Sequence, residues 1–503
     1  MTPGTRSLLA ISLSLHVGAS FPQNSATTPH RGQLLENPPA LLGVYTPSEL
    51  ISKITDGTIS RWLLRDAFSP HCSVAVYQLR YETIGGRLEP TTASGALMIP
   101  KGPDPICQSP RPIALYAHGK RNLRRFNIAD LSGQTNYEGL VLALAVAGEG
   151  YIVVAPNYAG YDTSTLTYHP FMNAIQQSGD MIDALTAAHA ALPSTGVAKN
   201  HKLFVTGYSE GGYVAMATHR ALQAAGTPVT ASAPMSGPYA LSAFVDAMFM
   251  GFVGAEAVEE AIMLESSYQH AYGNLYSSPT QVFEAKYASV ESLLPATTGI
   301  DTLVARGEIP ASAVFSSTPP APEFAALTPA RTGNSYFDQV FALGFGTNHL
   351  LTNSYRLSYL HDAQFHPDGG FPYTTGLLPW NPANTLRVDL KKNDLRNCSP
   401  RCWAPVAPVL LCAGDADPVV FFFNTKLMQR HWAMHAPGSP VTVLDVDAPA
   451  WLGGPYQSLR AEFQLTKTLL ESIAGISAVR EDYHAVLVPA FCMQAARSFF
   501  DAF

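Results

Sequence analysis

Charge is scarce in this chain. Only 14% of its residues are Asp, Glu, Lys or Arg, and 31 Lys plus Arg stand against 38 Asp plus Glu, a net charge of −7. No basic run stands out, so nothing is concentrated enough to hold a phosphate backbone, and no nucleic acid partner is expected. Long apolar runs are also missing beyond the first residues. The best, Gly139 to Pro156, is broken by Glu149, which excludes a transmembrane helix there. Metal-binding patterns are missing too. The 15 His are scattered, with no H-E-x-x-H and no paired C-x-x-C, so neither metal nor cofactor is expected. Low complexity is absent; 38 Gly and 39 Pro mark many loops in a chain whose 503 residues can bury a large core.

Cysteine is sparse, and its six copies fit an oxidising compartment. Cys398 and Cys402 can close a small loop, and Cys72 and Cys107, each just ahead of a predicted strand, can pair. Either Cys412 in an apolar strand or Cys492 in a C-terminal helix can be a free buried thiol, and the sequence does not fix the connectivity. The first residues support the same compartment. Arg6 precedes an apolar stretch from Leu8 to Val17, and Val17-Gly18-Ala19 offers a cleavage site after Ala19. Residues 1–19 are therefore expected to be a signal peptide, and the protein secreted or periplasmic.

What is present is an alternation of strands and helices. Residues 20–74 read as a loose leader followed by one or two helices over 41–70, with Thr46 or Ser48 as a cap. A hairpin follows, Val74 to Ile84 and Gly95 to Pro100, turning at Gly85-Gly86. Strands are then expected at Pro112–Ala117, Tyr151–Pro156, Lys202–Thr206 and Ala231–Met235, separated by helices. After Leu241 the rhythm stops and a helical stretch with Pro-rich breaks runs to Arg401. Strands resume at Pro408–Ala413 and Val441–Val446, and helices are expected at Phe421–His435, Tyr456–Ile473 and Pro489–Phe503. This is an α/β fold with a mostly parallel sheet and helices on both faces. Residues 75–240 and 402–503 form its two parts, and 241–401 a helical cap inserted between them.

The sharpest motif is Gly207-Tyr208-Ser209-Glu210-Gly211, a G-x-S-x-G turn between a predicted strand and a predicted helix. Strand and helix must approach closely there, which the glycines allow, and the Ser209 hydroxyl stands clear as a nucleophile. A serine hydroxyl needs a base and a group to orient that base. Asp417 and His484 follow in that chain order, each expected in a loop after a strand. Asp417, ahead of Pro418, is preferred over Asp415, which reads as a turn residue. His484 is preferred over His431 and His435, which read as helix residues, and over His118, a structural or oxyanion-loop residue. The oxyanion donors are expected at the N–H of Glu210 and at that of Lys120 or Gly119.

The segments GYSEGG, YAHGK, VAPNYAGYD, GDADPVV and YHAVLVP resemble the capped serine esterases of the α/β-hydrolase superfamily. The most similar group is the secretory lipases, fungal lipase A-like enzymes and their bacterial relatives, over roughly residues 75–240 and 400–503. The resemblance implies a carboxylic-ester hydrolase with Ser209, Asp417 and His484 as its triad, a small-molecule or lipid ester as substrate, and a cap that sets substrate choice. Candidate substrate-binding residues are Tyr158 and, in the cap, Met248, Phe249 and Phe252. Two features depart from the family. Lys120 stands where a smaller or hydroxylated residue is usual, and the segment before His484 is long. A serine peptidase or an acyltransferase on the same fold is the alternative.

Overall fold

The computed structural model describes residues 30–55, 68–108, 110–132, 136–368, 376–399 and 401–503; the expected signal peptide lies outside them. Among the described residues nine strands form one sheet in the order β1-β2-β3-β5-β4-β6-β7-β10-β11. They are β1 (Ala40–Tyr45), β2 (Ser73–Ile84), β3 (Pro90–Lys101), β4 (Arg111–Ala117), β5 (Ile152–Pro156), β6 (Lys199–Tyr208), β7 (Ala231–Met235), β10 (Val409–Ala413) and β11 (Val441–Asp445). From β5 across to β11 every pairing is parallel, and the first three strands add on antiparallel. Strands β5, β7 and β10 are buried along their whole length. Their unbroken apolar sequences follow from helices covering both faces.

One face carries the helices Ala174–Thr195 and Glu210–Ala224, and the other carries Pro47–Thr55, Tyr137–Ala145 and Val488–Phe500. Local chemistry sets their ends. Asn173 accepts the Gln176 N–H at 3.1 Å to start the first, and Gly196, in the left-handed region, stops it. Asn136 caps Tyr137–Ala145 in the same way.

Between β7 and β10 the regular structure of the described residues is mostly helix, at Leu241–Phe249, Ala257–Tyr272, Ile300–Ala305, Ser335–Leu343, Asn353–Phe365 and Thr385–Asn393. A two-residue pair, β8 (Phe315–Ser316) with β9 (Phe345–Gly346), interrupts them. Buried arginines hold the first of these helices. Arg387 grips both oxygens of Asp246 at 3.0 and 2.9 Å and reaches Asp362 at 2.7 Å. Arg356 donates to the Phe249 carbonyl. Bidentate, fully paired contacts of this kind fix orientation as well as position.

Four expectations are corrected. Residues 40–45 form a strand, not a helix, pairing with β2 at the sheet edge; the helix starts at Pro47 with Thr46 and Glu49 bonding reciprocally. Cys412 and Cys492 are not free thiols but a disulfide, which ties β10 to the helix Val488–Phe500. Cys72–Cys107 and Cys398–Cys402 pair as expected. The helix expected to end at Ile473 bends at Gly475 and continues to Asp482. His484 then lies not in a loop but in a π-helical turn, Tyr483–Leu487, leading straight into Val488–Phe500.

Candidate active site

Ser209 sits at the carboxyl end of β6, where the strand reverses into the helix Glu210–Ala224. Its backbone is in the left-handed region, φ 61° and ψ −123°, and its N–H donates to the Met235 carbonyl at 3.0 Å. The turn is possible only with glycine on both sides. A Cβ on Gly211 would stand 1.9 Å from the Ala117 carbonyl oxygen, and one on Gly207 would stand 2.4 Å from that of Gly211.

Three side chains converge there. The Ser209 hydroxyl lies 2.8 Å from His484 Nε2, and His484 Nδ1 lies 2.7 Å from Asp417 Oδ2. The other carboxylate oxygen of Asp417 accepts the N–H groups of Val419 and Val420 at 2.9 and 3.0 Å. A carboxylate can only accept, so Nδ1 carries the proton and Nε2 is free to accept from Ser209. The Tyr208 hydroxyl donates to the His484 carbonyl at 2.6 Å and fixes the π-turn from below. Burial pulls the His484 pKa down, but Asp417, helped by Glu256 and Glu260, outweighs it and leaves it above the ordinary value. Asp415 is exposed and pairs with Lys426. His431 and His435 lie on the helix Phe423–His435, away from the serine.

Loop His118–Arg121, at the end of β4, faces the serine. The Gly119 N–H is taken by Glu138 Oε1 at 3.2 Å. The N–H groups of Lys120 and Glu210 remain as candidates. The Glu210 side chain is buried and anchored by His169 Nε2 at 2.7 Å and Gln177 Nε2 at 2.6 Å. The Lys120 ammonium pairs with Glu256 at 2.9 Å and Glu259 at 3.6 Å.

Two cavities meet at Ser209. One is apolar and lined by Phe171, Leu241, Val245, Met248, Phe249 and Leu264 among others, with Glu260 and Glu265 on the same wall. The other opens between His484, Tyr137, Glu256 and Met493. Two substrate-binding candidates do not reach either. Phe252 faces a separate pocket with Phe337, Phe341 and Phe421, because the helix ends at Phe249 and Gly251 turns the chain out of register. Tyr158 is buried, stacks on His118 at 4.2 Å and donates to its carbonyl. His118 is itself buried, its ring bonded to the Gly119 and Asn157 carbonyls.

Sequence reasoning missed Glu138, His169, Gln177, Glu256 and Glu259. The one available signal was Lys120. A lysine placed beside a nucleophile needs an acid, and Glu256, Glu259 and Glu260 follow the apolar run Met248–Val253. Cys398, Cys402 and His435 lie close together, but the two sulfurs are bonded to one another and supply no thiolate for a metal.

The secretory lipase family model matches residues 126–232. This chain is similar to the secretory lipases. Among solved structures, the ligand-bound rice cell wall degrading esterase LipA from Xanthomonas oryzae is 25% identical, with 93% of this chain and 98% of that chain covered and a TM-score of 0.65. A putative hydrolase from Legionella pneumophila is 20% identical over 88% and 99% of the two chains, TM-score 0.59. Candida antarctica lipase A in its closed state is 16% identical over 94% and 93%, TM-score 0.51; these two show the fold alone. No curated protein matches. The secretory lipase match and the esterase neighbour support the carboxylic-ester hydrolase expected from the motifs, and the α/β-hydrolase fold is shared. Three disulfides and the secretory family fit an extracellular protein. Among the described residues no helix is long and apolar enough to cross a membrane.

Proposed function

We propose that this protein is a secreted serine carboxylic-ester hydrolase acting on esters with an apolar acyl or alcohol part. The observation that carries the reading is the hydrogen-bonded chain from Ser209 through His484 to Asp417, beside an apolar cavity. Ser209 Oγ attacks the ester carbonyl carbon while His484 Nε2 takes its proton, and Asp417 holds the imidazole and stabilises its charge. The carbonyl oxygen becomes an oxyanion between the N–H groups of Glu210 and Lys120. Collapse expels the alcohol, which leaves with the proton from Nε2. Water then repeats the sequence on the acyl-enzyme and releases the carboxylic acid. Residues 241–401 serve as a cap that excludes water and shapes the apolar cavity. Residues 1–19 direct secretion and are removed after Ala19.

A fluorophosphonate probe should label Ser209 and fail on Ser209→Ala. On p-nitrophenyl esters that variant should lose about 10³-fold or more in kcat with its melting temperature intact. Labelling of a different serine would refute the assignment, and full activity of Ser209→Ala would refute the mechanism.

A further inference from the structure

The peptide between Gly119 and Lys120 has an unusual need for support. Gly119 has no Cβ, so this peptide plane can turn over at little cost and carry the Lys120 N–H away from the serine. Its neighbours are fixed on one side only. Glu138 takes the Gly119 N–H and pairs with Arg121, and it is itself held by the Tyr116 hydroxyl at 2.5 Å. What holds Lys120 comes from the inserted helices. Glu256 and Glu259 open the helix Ala257–Tyr272 and reach its ammonium at 2.9 and 3.6 Å.

The same short segment also touches the acid loop. The Ala255 N–H donates to the Pro418 carbonyl at 2.9 Å, one residue from Asp417. Glu256 itself has a left-handed backbone, φ 62°, a conformation unfavourable in a residue other than glycine and kept where surrounding contacts impose it. Its carboxyl is held at about 2, chiefly by the Lys120 charge. Burial opposes the charge on Lys120, and Glu256, Glu259 and Glu260 outweigh it. The pair is thus fully ionised across the working pH range.

We propose that Glu256 and Glu259 are positioning residues for the oxyanion site, clamping Lys120 so that its N–H stays aimed at the oxygen bound beside Ser209. The inserted segment then does more than cover the serine: its second helix, Ala257–Tyr272, completes the machinery of the core at Lys120. This rests on reading the site as an ester hydrolase.

The test uses the full secreted chain. Lys120→Met and the pair Glu256→Gln/Glu259→Gln should each lower kcat on p-nitrophenyl acetate about 10- to 100-fold, part of the loss expected when an oxyanion donor is removed outright, with KM within about threefold. The inhibition constant of a trifluoromethyl ketone, which binds as an oxyanion, should rise by the same factor, while that of the matching methyl ketone stays put. Combining Lys120→Met with the two Glu variants should cost no more than either alone. Lys120→Arg, which keeps the charge, should retain most of kcat. The Glu256 side chain is 48% exposed, so Glu256→Gln alone preserves folding and gives a readable partial loss if the double variant does not fold. The proposal is overturned if kcat stays within twofold, if the losses multiply, or if both ketones weaken alike. A wild-type chain that neither hydrolyses esters nor takes the phosphonate on Ser209 removes the functional reading beneath it, a result separate from all of these.

Discussion

Asp417 and Asp415 stand two residues apart in one loop and have opposite surroundings. Asp417 is fully buried and accepts from His484, Val419 and Val420. Asp415 is open to solvent with a surface lysine, a contact that contributes little. Asp417→Asn keeps the shape but supplies an amide where His484 Nδ1–H needs an acceptor, so the imidazole turns or changes tautomer. The expected loss in kcat is about 10⁴-fold. Asp415→Asn should stay within about twofold. Steady-state kinetics on a short ester decides, and equal losses would show that the wrong carboxylate has been chosen. This choice was legible in the sequence because Pro418 forces the chain to turn after Asp417. The role of Gly119 was not legible. Which of two adjacent N–H groups is free depends on Glu138, a helix residue 19 positions away that no local pattern links to the loop.

At the scale of elements, the motifs at strand ends read well and the long-range partners did not. Strands β4, β6, β7 and β10 were visible because burial on both faces leaves continuous apolar runs. Strand β1 was hidden by the opposite condition. Its residues are mostly exposed at the sheet edge, so they carry no alternation to separate strand from helix. The disulfide Cys412–Cys492 joins elements 80 residues apart, a distance over which spacing says nothing. The apolar run Met248–Val253 was recognised, but its two faces were not, because the helix ends inside it. Phe249 is the last helical residue and lines the Ser209 cavity, stacked 3.6 Å from Tyr359. Phe252 lies past the turn and packs on Phe341. Phe249→Ala should therefore shift the ratio of octanoate to acetate hydrolysis about tenfold, whereas Phe252→Ala should leave that ratio unchanged. A panel of p-nitrophenyl esters measures both. If the two variants alter the ratio alike, the cavity is not the acyl site and both residues serve only as core.

For the whole molecule, the buried acids set a pH dependence of stability with a definite sign. Burial, ahead of every other influence, raises Glu260 and Glu265 from 4.5 to about 8 and Asp180 from 3.8 to about 7. The folded chain holds these protons more tightly than the unfolded chain does. Their contribution is complete below about pH 4 and is lost as pH rises through 7 to 8. His484, also raised, loses its contribution in the same direction. Glu256 acts the other way. Lowered to about 2, it stabilises above pH 4.5 and loses that contribution as pH falls towards 2. Buried His219 and His431, lowered to about 4, favour the folded chain increasingly as pH rises to 6.5, so the melting temperature should be highest near pH 6 and decline to pH 9. The proposed mechanism asks for the reverse, since in it His484 must be neutral to accept the Ser209 proton and becomes so only as pH rises through its raised pKa. Brief assays should show an optimum well above the pH at which the protein survives longest. Glu265→Gln can keep the contact with the Tyr355 hydroxyl and has no proton to lose, so its melting temperature should fall less between pH 6 and 9 than that of the wild type. Thermal unfolding of both proteins across pH 4 to 9 tests this, and a wild-type curve that is flat or rises towards pH 9 would show that these carboxyls are not held protonated.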